Sequence, residues 1–251
     1  MTMTTPYYVT TPIYYVNDKP HIGHAYTTLA CDMLARFKRL DGYDVMFLTG
    51  TDEHGQKVQE AADKAGVDPR AFTDSVSRNF RDLLGVMNFS NTQFIRTTEE
   101  RHYASSQSLW SRLKERGHIR LDKYAGWYSV RDEAFFTETE LVDGKAPTGA
   151  PVEWVEEPSY FFDLSQWQQP LLDFYKNNPD FIAPEGRKKE VVSFVSGGLK
   201  DLSVSRTTFN WGVPVPEDDA HVMYVWLDAL TNYLTALNWH EDGEDLSLIH
   251  I

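Results

Sequence analysis

Three short segments of the sequence carry side chains whose types and spacing could do chemistry. The first is His21-Ile22-Gly23-His24, which follows a predicted strand and loop and stands at the start of a predicted helix. A helix N-terminus presents free N–H groups and the positive end of the helix dipole. Two imidazoles one turn apart would add donors toward phosphate oxygens, and Gly23 would let a flat base lie close to the backbone. The segment therefore predicts a nucleotide phosphate site, with ordinary polar helix caps and a metal-binding pair as alternatives.

The second segment is Gly50-Thr51-Asp52-Glu53-His54-Gly55, which follows a short apolar run typical of a buried parallel strand. Parallel sheets bind ligands beyond the carboxyl ends of their strands. Asp52 could accept charge-assisted hydrogen bonds from a substrate ammonium group there. The alternative is that Thr51 or Asp52 only caps the helix that follows.

The third segment runs from Tyr224 to Tyr233. Trp226, Ala229 and Tyr233 are three and four residues apart, so they share one face if the segment is helical. Two aromatic rings around a small residue can wall a slot for a slim apolar side chain. A thioether suits such a slot because sulfur–aromatic contacts are favourable by about 0.3–1.5 kcal/mol. Plain core packing is the alternative.

The elements that must position these segments alternate along the first third of the chain. Strand-like stretches are Tyr7–Thr11, Val45–Thr49 and Phe94–Ile95. Three predicted helices lie between them. The first has Leu29, Met33, Phe37 and Leu40 at helical spacing and ends before Gly42. The second covers Gln56–Ala65, and the third begins at Asp68 as its N-cap. A fourth runs from a capping box of Thr97 and Glu100 to Arg116. This order predicts an α/β fold with a parallel sheet.

The sequence changes character near Gly117, which predicts an interrupted domain. Residues 1–116 would form the first half of the α/β domain, and residues 117–217 an insertion. The insertion begins as short β-strands with a hairpin turn at Asp143-Gly144 and continues as helices over 165–177 and 184–196, the first capped by Ser165. Residues 218–245 would start the second half, with a strand over 222–225 and a helix over 227–237. Residues 246–251 fit neither half and are interpreted as a non-native tail.

The composition excludes several classes of protein. The 251 residues carry 24 Lys and Arg against 37 Asp and Glu, a net charge of −13. This balance disfavours indiscriminate nucleic-acid binding, although the cluster Arg187-Lys188-Lys189 could still meet a phosphate backbone. The single cysteine, Cys31, excludes a disulfide framework. No secretory signal is visible and no apolar run approaches about 18 residues, so the sequence predicts a cytoplasmic protein without a membrane span.

Taken together, the motifs resemble those of the bacterial methionyl-tRNA synthetases, a class I family. The resemblance covers about Tyr7 to Leu237 and includes strings beside the three segments, namely Thr10-Thr11-Pro12-Ile13-Tyr14-Tyr15-Val16-Asn17, Ser205-Arg206-Thr207 and Trp211-Gly212-Val213-Pro214. Synthetases for leucine, isoleucine, valine and cysteine share the His-x-Gly-His turn, but the other strings are more specific to the methionine family.

The resemblance implies a Rossmann-type catalytic domain interrupted by a connective-peptide insertion. It implies an ATP-dependent ligase that joins methionine to initiator and elongator methionine tRNA through a methionyl-adenylate, with ATP and Mg²⁺ as substrate. His21 and His24 would be the catalytic histidines and, with Gly23, would hold ATP. Asp52 and Tyr15 would bind the methionine amino group. The side-chain pocket would be formed by Ile13, Trp226, Ala229 and Tyr233.

The sequence departs from the family pattern in two places. Many members bind zinc in the insertion through Cys-x-x-Cys pairs, whereas here Ser129 and Asp132 stand where thiols would. We therefore predict no zinc and expect the insertion to rely on apolar residues such as Trp127, Phe135, Phe136 and Trp154. The Lys-Met-Ser-Lys-Ser-type loop that neutralises pyrophosphate, and the helical anticodon-binding domain, would lie after the last residue. The resemblance thus implies an amino-terminal fragment with weak or no turnover.

Two other functions are open at this point. One is another adenylyl or nucleotidyl transferase with the same phosphate turn, which would not need the aromatic segment Tyr224–Tyr233. The other is a non-catalytic RNA-binding remnant, whose affinity for RNA would fall steeply with salt concentration.

Overall fold

The computed structural model describes residues 5–132 and 134–239, which fall into two compact units. One unit lies within Met1–Trp110 and Thr208–Ile251, and the other within Ser111–Thr207. The predicted tail, residues 246–251, lies outside the described residues. Among the described helices, none combines the length and the apolar character needed to cross a lipid bilayer.

The helices are α1 (Ile22–Leu40), α2 (Gln56–Ala65), α3 (Pro69–Val86), α4 (Glu100–Glu115), α5 (Gln168–Asn177), α6 (Glu185–Ser196) and α7 (Trp226–Thr235). The strands are β1 (Pro6–Thr10), β2 (Tyr14–Tyr15), β3 (Asp44–Asp52), β4 (Gln93–Arg96), β5 (Ile119–Ser129), β6 (Ala134–Phe136), β7 (Glu153–Phe162), β8 (Leu202–Ser203), β9 (Ser205–Arg206), β10 (Pro214–Val215) and β11 (Asp218–Met223).

The parallel sheet of the first unit is built around β3. Leu48 is in register with Thr10 on one side and with Gln93 on the other, so β1 and β4 flank β3 on opposite edges. The short strand β2 pairs with the end of β3, where Tyr15 is in register with Asp52. All three pairings are parallel, which confirms the predicted α/β fold class.

The core of this unit lies on both faces of β3, because successive side chains of a strand point to opposite faces. Phe47 packs with Val9, Ala35 and Val45, whereas its neighbour Leu48 packs in a separate cluster with Ile95 and Ala236. A Cβ atom on Gly50 would lie 2.1 Å from the carbonyl oxygen of Ile95. Only glycine therefore allows β3 and β4 to approach this closely.

Helix α1 forms as its periodicity predicts, but its predicted apolar stripe is exposed. Leu29, Met33, Phe37 and Leu40 are between 48% and 90% exposed, and the buried residues of α1 are Thr28, Asp32 and Ala35. Spacing identifies the helix, but it does not show which side meets the sheet. Small and polar side chains fill the close contact between α1 and the strands. Ala35 packs with Val9 and Phe47, and the Thr28 hydroxyl lies 2.8 Å from that of Tyr14 on β2.

Two predicted helix caps are wrong, while a third is confirmed. The hydroxyl of Thr97 accepts a hydrogen bond from the backbone N–H of Glu53 and so links two strand ends instead of capping α4. Ser165 lies in a 3₁₀ turn before α5 and donates its hydroxyl hydrogen to Asp201. Asp68 caps α3 as predicted, because its side chain accepts hydrogen bonds from the backbone N–H groups of Arg70 and Ala71.

The second unit contains a long antiparallel ladder where short strands were predicted. β5 and β7 pair from Ile119 with Phe162 to Tyr128 with Glu153, and β6 and β8 extend this sheet on its two edges. The predicted turn at Asp143-Gly144 is present, with positive φ at both residues and a bridge between Val142 and Lys145. The unit spans residues 111–207, and the predicted insertion spans 117–217.

A hydrogen-bonded cluster forms around Ser129 and Asp132, the two residues for which the sequence predicts no zinc site. The Asp132 carboxylate accepts hydrogen bonds from the hydroxyls of Ser129, at 2.9 Å, and Thr148, at 2.6 Å. The backbone N–H of Asp132 also donates to Ser129 Oγ at 3.2 Å. The carboxylate thus ties the end of β5 to a distant loop. Nearby, the rings of Trp127 and Trp154 meet edge to face at 5.4 Å.

Replacing Asp132 by alanine is expected to destabilise the second unit by about 1–3 kcal/mol, because two hydroxyls lose their acceptor. Urea unfolding of the variant and the wild type would measure this difference. Asp122→Ala, on an exposed part of β5, serves as the matched control. Equal stability of Asp132→Ala and the control would contradict the proposed cross-link.

Candidate functional site

The two histidines of the first segment stack at the N-terminus of α1. Their ring centroids are 3.8 Å apart, with an interplanar angle of 25°. His21 is the N-cap of α1, and its Nδ1 accepts a hydrogen bond from the backbone N–H of Gly23. His24 completes the capping box, because its Nδ1 accepts from the backbone N–H of His21. The alternative of polar helix caps is therefore correct as a local structural role.

These backbone hydrogen bonds determine which tautomer each neutral ring adopts. A ring nitrogen that accepts a hydrogen bond carries no proton, so in the neutral ring the proton is on Nε2. Burial lowers the pKa of His24, and the neighbouring His21 lowers it further. His24 therefore remains neutral at ordinary pH and can donate an Nε2–H hydrogen bond without carrying a charge.

Gly23 is required by the cap itself. A Cβ atom at this position would lie 2.9 Å from Cε1 and 3.0 Å from Nδ1 of His21. A side chain would therefore push the His21 ring out of its capping position. This constraint is additional to the predicted need for a base to lie against the backbone.

The histidine pair is connected to the end of β3 through Tyr14. The Tyr14 ring meets the His24 ring edge to face at 4.8 Å, and its hydroxyl lies 2.8 Å from that of Thr28 on α1. Tyr14 belongs to β2 and is in register with Thr51, one residue before Asp52. The start of α1 and the carboxyl end of β3 are therefore joined through a two-residue strand.

Asp52, Tyr15, Ile13 and Tyr233 come together at this end of the sheet. Tyr15 is in register with Asp52. Burial raises the pKa of Tyr233, a hydrogen bond with Asn232 opposes this, and the Asp52 carboxylate raises it further. Ile13 and Tyr233 pack against the same buried cluster.

The other two predicted pocket residues are placed by α7. Trp226 is the first residue of this helix and is 51% exposed, and Ala229 is partly buried one turn later. The half-exposed indole excludes plain core packing for Trp226. The residue before α7, Val225, has φ of +27°, a region that β-branched residues avoid, so the backbone is strained where α7 begins.

The predicted alternative that Thr51 or Asp52 caps the next helix is wrong. The N-cap of α2 is Gly55, and no side chain caps it. The Thr51 hydroxyl instead donates to the buried carboxylate of Glu53 at 2.6 Å. Arg96 donates to both oxygens of that carboxylate, at 2.7 and 2.8 Å, and Thr98 donates to one of them at 2.5 Å. This network anchors the segment that carries Asp52.

A buried triad of two histidines and an aspartate was not predicted. Asp228 on α7 lies 2.7 Å from Nδ1 of His54 and 2.8 Å from Nε2 of His102, through different carboxylate oxygens. Burial alone would lower the pKa of His54, but the Asp228 carboxylate outweighs this effect and raises it, with further contributions from Asp52 and Glu53. Burial likewise opposes ionisation of Asp228, but the two histidines hold its pKa well below the usual range.

The raised pKa of His54 predicts a pH-dependent stability. Its stabilising contribution is fully present below the unfolded pKa of about 6.5 and is lost as the pH rises through the folded pKa. Asp228→Asn removes the charge responsible, so the stability difference between wild type and variant should shrink as the pH rises from about 6.5. Urea unfolding across that pH range would test this, and a pH-independent difference would contradict it.

No cluster of metal ligands supports the alternative of a histidine metal pair. Among residues 5–132 and 134–239, no three His, Cys, Asp or Glu side chains are grouped so as to hold a metal ion. On α6, two residues of the predicted basic cluster contact other residues of the protein. Arg187 pairs with Glu190, and Lys188 donates to the carbonyl oxygen of Pro179.

Comparison with known proteins identifies similar chains. A methionine–tRNA ligase of Rickettsia felis is 64% identical over 238 residues, which are 94% of this chain and 46% of that protein. Its counterpart from Mesorhizobium japonicum is 58% identical over 244 residues, which are 95% of this chain and 47% of that protein. The chain therefore spans about half the length of the curated relatives it matches.

Solved structures agree with this similarity. The methionyl-tRNA synthetase of Mycobacterium tuberculosis in complex with methionyl-adenylate superposes with a TM-score of 0.91 and 56% identity, over 96% of this chain and 48% of that one. The apo form of the same enzyme gives a TM-score of 0.79. The family model for class I tRNA synthetases (M) matches residues 7–153 and 140–245. Since these matches cover most of the sequence, the chain belongs to the class I methionyl-tRNA synthetase family.

Proposed function

We propose that this chain provides the ATP- and methionine-binding face of a methionine–tRNA ligase. The observation that carries the proposal is that two features meet at the carboxyl end of the parallel strands. The histidine pair His21 and His24 at the start of α1 is joined by Tyr14 to the end of β3, which carries Asp52. Open α/β sheets bind their ligands at the carboxyl ends of the strands.

ATP would be held by His21, Gly23 and His24. The N-terminus of α1 attracts phosphate oxygens through its dipole, and each imidazole has an Nε2–H group left to donate because Nδ1 accepts from the backbone. His24, whose pKa is lowered by burial and by the neighbouring His21, would act as a neutral donor to charge developing on the phosphate. We therefore assign the catalytic role of the two histidines to hydrogen bonding rather than to proton transfer.

Methionine would be held at both of its ends. Asp52, next to Tyr15, would accept from the ammonium group. Ile13, Trp226, Ala229 and Tyr233 would form the slot for the thioether. Held in this way beside ATP, the methionine carboxylate would attack the α-phosphorus, giving methionyl-adenylate and pyrophosphate, and the methionyl group would then pass to the terminal ribose of tRNA. The protein's contribution is positioning and charge stabilisation.

The associated substrates and partners follow from this activity. ATP would arrive with Mg²⁺, initiator and elongator methionine tRNA would be the acceptors, and the cytoplasm would be the site of action. Zinc would not be required, because Ser129 and Asp132 hydrogen-bond to each other at the position of the family's thiols.

Thermal-shift titration of the wild-type chain with methionine, leucine and pantoate would test the function. Methionine should raise the unfolding temperature, and ATP should raise it further. Stabilisation by leucine or pantoate alone would support a different adenylyl transferase instead. Retention of RNA with steep salt dependence, without any response to methionine, would support the RNA-binding alternative.

A further inference from the structure

The buried Asp228 carboxylate joins three separate stretches of the first unit. His54 follows β3, His102 lies on α4, and Asp228 lies on α7. The side chains of these residues are at most 4% exposed, so none of them can meet a substrate directly. Any effect of the triad on a ligand must therefore act through neighbouring residues.

The triad connects the two halves of the proposed methionine site. His54 stands two residues after Asp52, which would bind the ammonium group. Asp228 stands between Trp226 and Ala229, which would wall the side chain. The 2.7 Å contact between His54 and Asp228 is thus a short link from one end of a bound methionine to the other.

The imidazole of His54 is fixed on its remaining sides. Its Nε2 lies 3.0 Å from the hydroxyl of Tyr103 on α4, and the Trp211 ring packs against it at 5.4 Å and 70°. The charged groups that face it are Asp228 on α7 and, from its own segment, Asp52 and Glu53. His102 is held in the same manner, since its Nδ1 lies 3.2 Å from the hydroxyl of Thr235.

Building on the methionine site proposed above, we propose that Asp228 is a positioning residue for methionine. Through His54 it fixes the distance between Asp52 and the wall formed by α7, so that the protein selects an amino acid of one length. The selectivity follows because a ligand gains from both contacts only when its own length matches a rigidly held separation. Loosening the link should therefore weaken methionine binding more than the binding of a shorter analogue.

Substitutions at His54 separate this role from a merely structural one. Asparagine places an amide near the Nδ1 position and can still donate to Asp228, whereas glutamine places its amide near the Nε2 position and reaches Tyr103 instead. Calorimetric titration of the full chain should show methionine affinity retained within about threefold in His54→Asn. In His54→Gln and in Asp228→Ala it should fall by at least roughly tenfold, the value expected for loss of a hydrogen bond to a charged group.

Two further readouts and a control variant complete the experiment. ATP affinity should change less than about threefold in all variants, and the ratio of methionine to 2-aminobutyrate affinity should fall in His54→Gln and Asp228→Ala. Asp163→Ala breaks another buried acid's contact with a histidine, His118, in the second unit, and should leave methionine affinity unchanged. If Asp228→Ala does not fold, His54→Gln still tests the proposal, because this variant keeps the Asp228 carboxylate.

Several results would overturn the inference. These are unchanged methionine affinity in His54→Gln, equal losses in His54→Asn and His54→Gln, or parallel losses of ATP and methionine affinity. A wild-type chain that binds ATP but no methionine would overturn the proposed function itself, and this inference with it. That outcome is recognised in the wild type before any variant is compared.

Discussion

Asp52→Ala is expected to abolish measurable methionine binding while the chain remains folded. Loss of one partner from a desolvated, hydrogen-bonded charge pair costs about 2–5 kcal/mol, or roughly 30-fold to several thousand-fold in affinity. The fold should survive because Asp52 is only partly buried and pairs with β2 through its backbone. Isothermal titration with methionine, together with a thermal melt of the same sample, would measure both effects.

The matched control for this variant is Asp44→Ala. Asp44 is an exposed aspartate at the opposite end of the same strand, β3, so its removal changes the net charge equally without touching the site. Methionine affinity should be unchanged in the control. Equal affinities in Asp52→Ala and Asp44→Ala would show that the carboxylate at position 52 is not the ammonium anchor.

Arg96→Ala should have the largest effect on stability. Glu53 is fully buried and receives two hydrogen bonds from the guanidinium, so the substitution leaves a buried carboxylate without its counter-charge. Breaking such a pair from one side costs about 3–5 kcal/mol, which is a large part of the total stability of an ordinary domain. Urea unfolding monitored by tryptophan fluorescence would measure the loss.

Two further variants identify the cause of that loss. Arg187→Ala removes one member of an exposed pair with Glu190 and should cost about 0–1 kcal/mol. The double variant Glu53→Gln with Arg96→Met removes both charges and should be more stable than Arg96→Ala alone. If Arg96→Ala costs no more than Arg187→Ala, the buried ion pair is not an anchor of the fold.

The fold class could be predicted because its signals are local. Each of β1, β3 and β4 contains at least two consecutive apolar or β-branched residues, and α2 ends where Gly66 stands in the left-handed conformation. Burial of α1 could not be predicted in the same way. Hydrophobic spacing defines a face, but the exposure of Met33 and Phe37 depends on what packs against the helix.

The candidate site was only partly accessible from sequence. The histidine pair and Asp52 stand in short strings next to predicted elements, so their placement followed from element order. The link between His54 and Asp228 joins residues 174 positions apart, and neither periodicity nor spacing carries information across that separation. Likewise, nothing in the sequence around Arg96 indicates that it pairs with the buried Glu53.

The positive φ of Val225 has a consequence for protein engineering. Its side chain packs against Phe209, Val222 and Tyr224, and this packing sustains a backbone strain of about 1–3 kcal/mol. Glycine at this position would release the strain but lose the apolar contacts of a partly buried valine, which are worth less than the about 1.5–3 kcal/mol of a fully buried side chain. A substitution at position 225 should therefore change the stability little. A more flexible backbone there would hold Trp226, a residue of the proposed methionine site, less firmly.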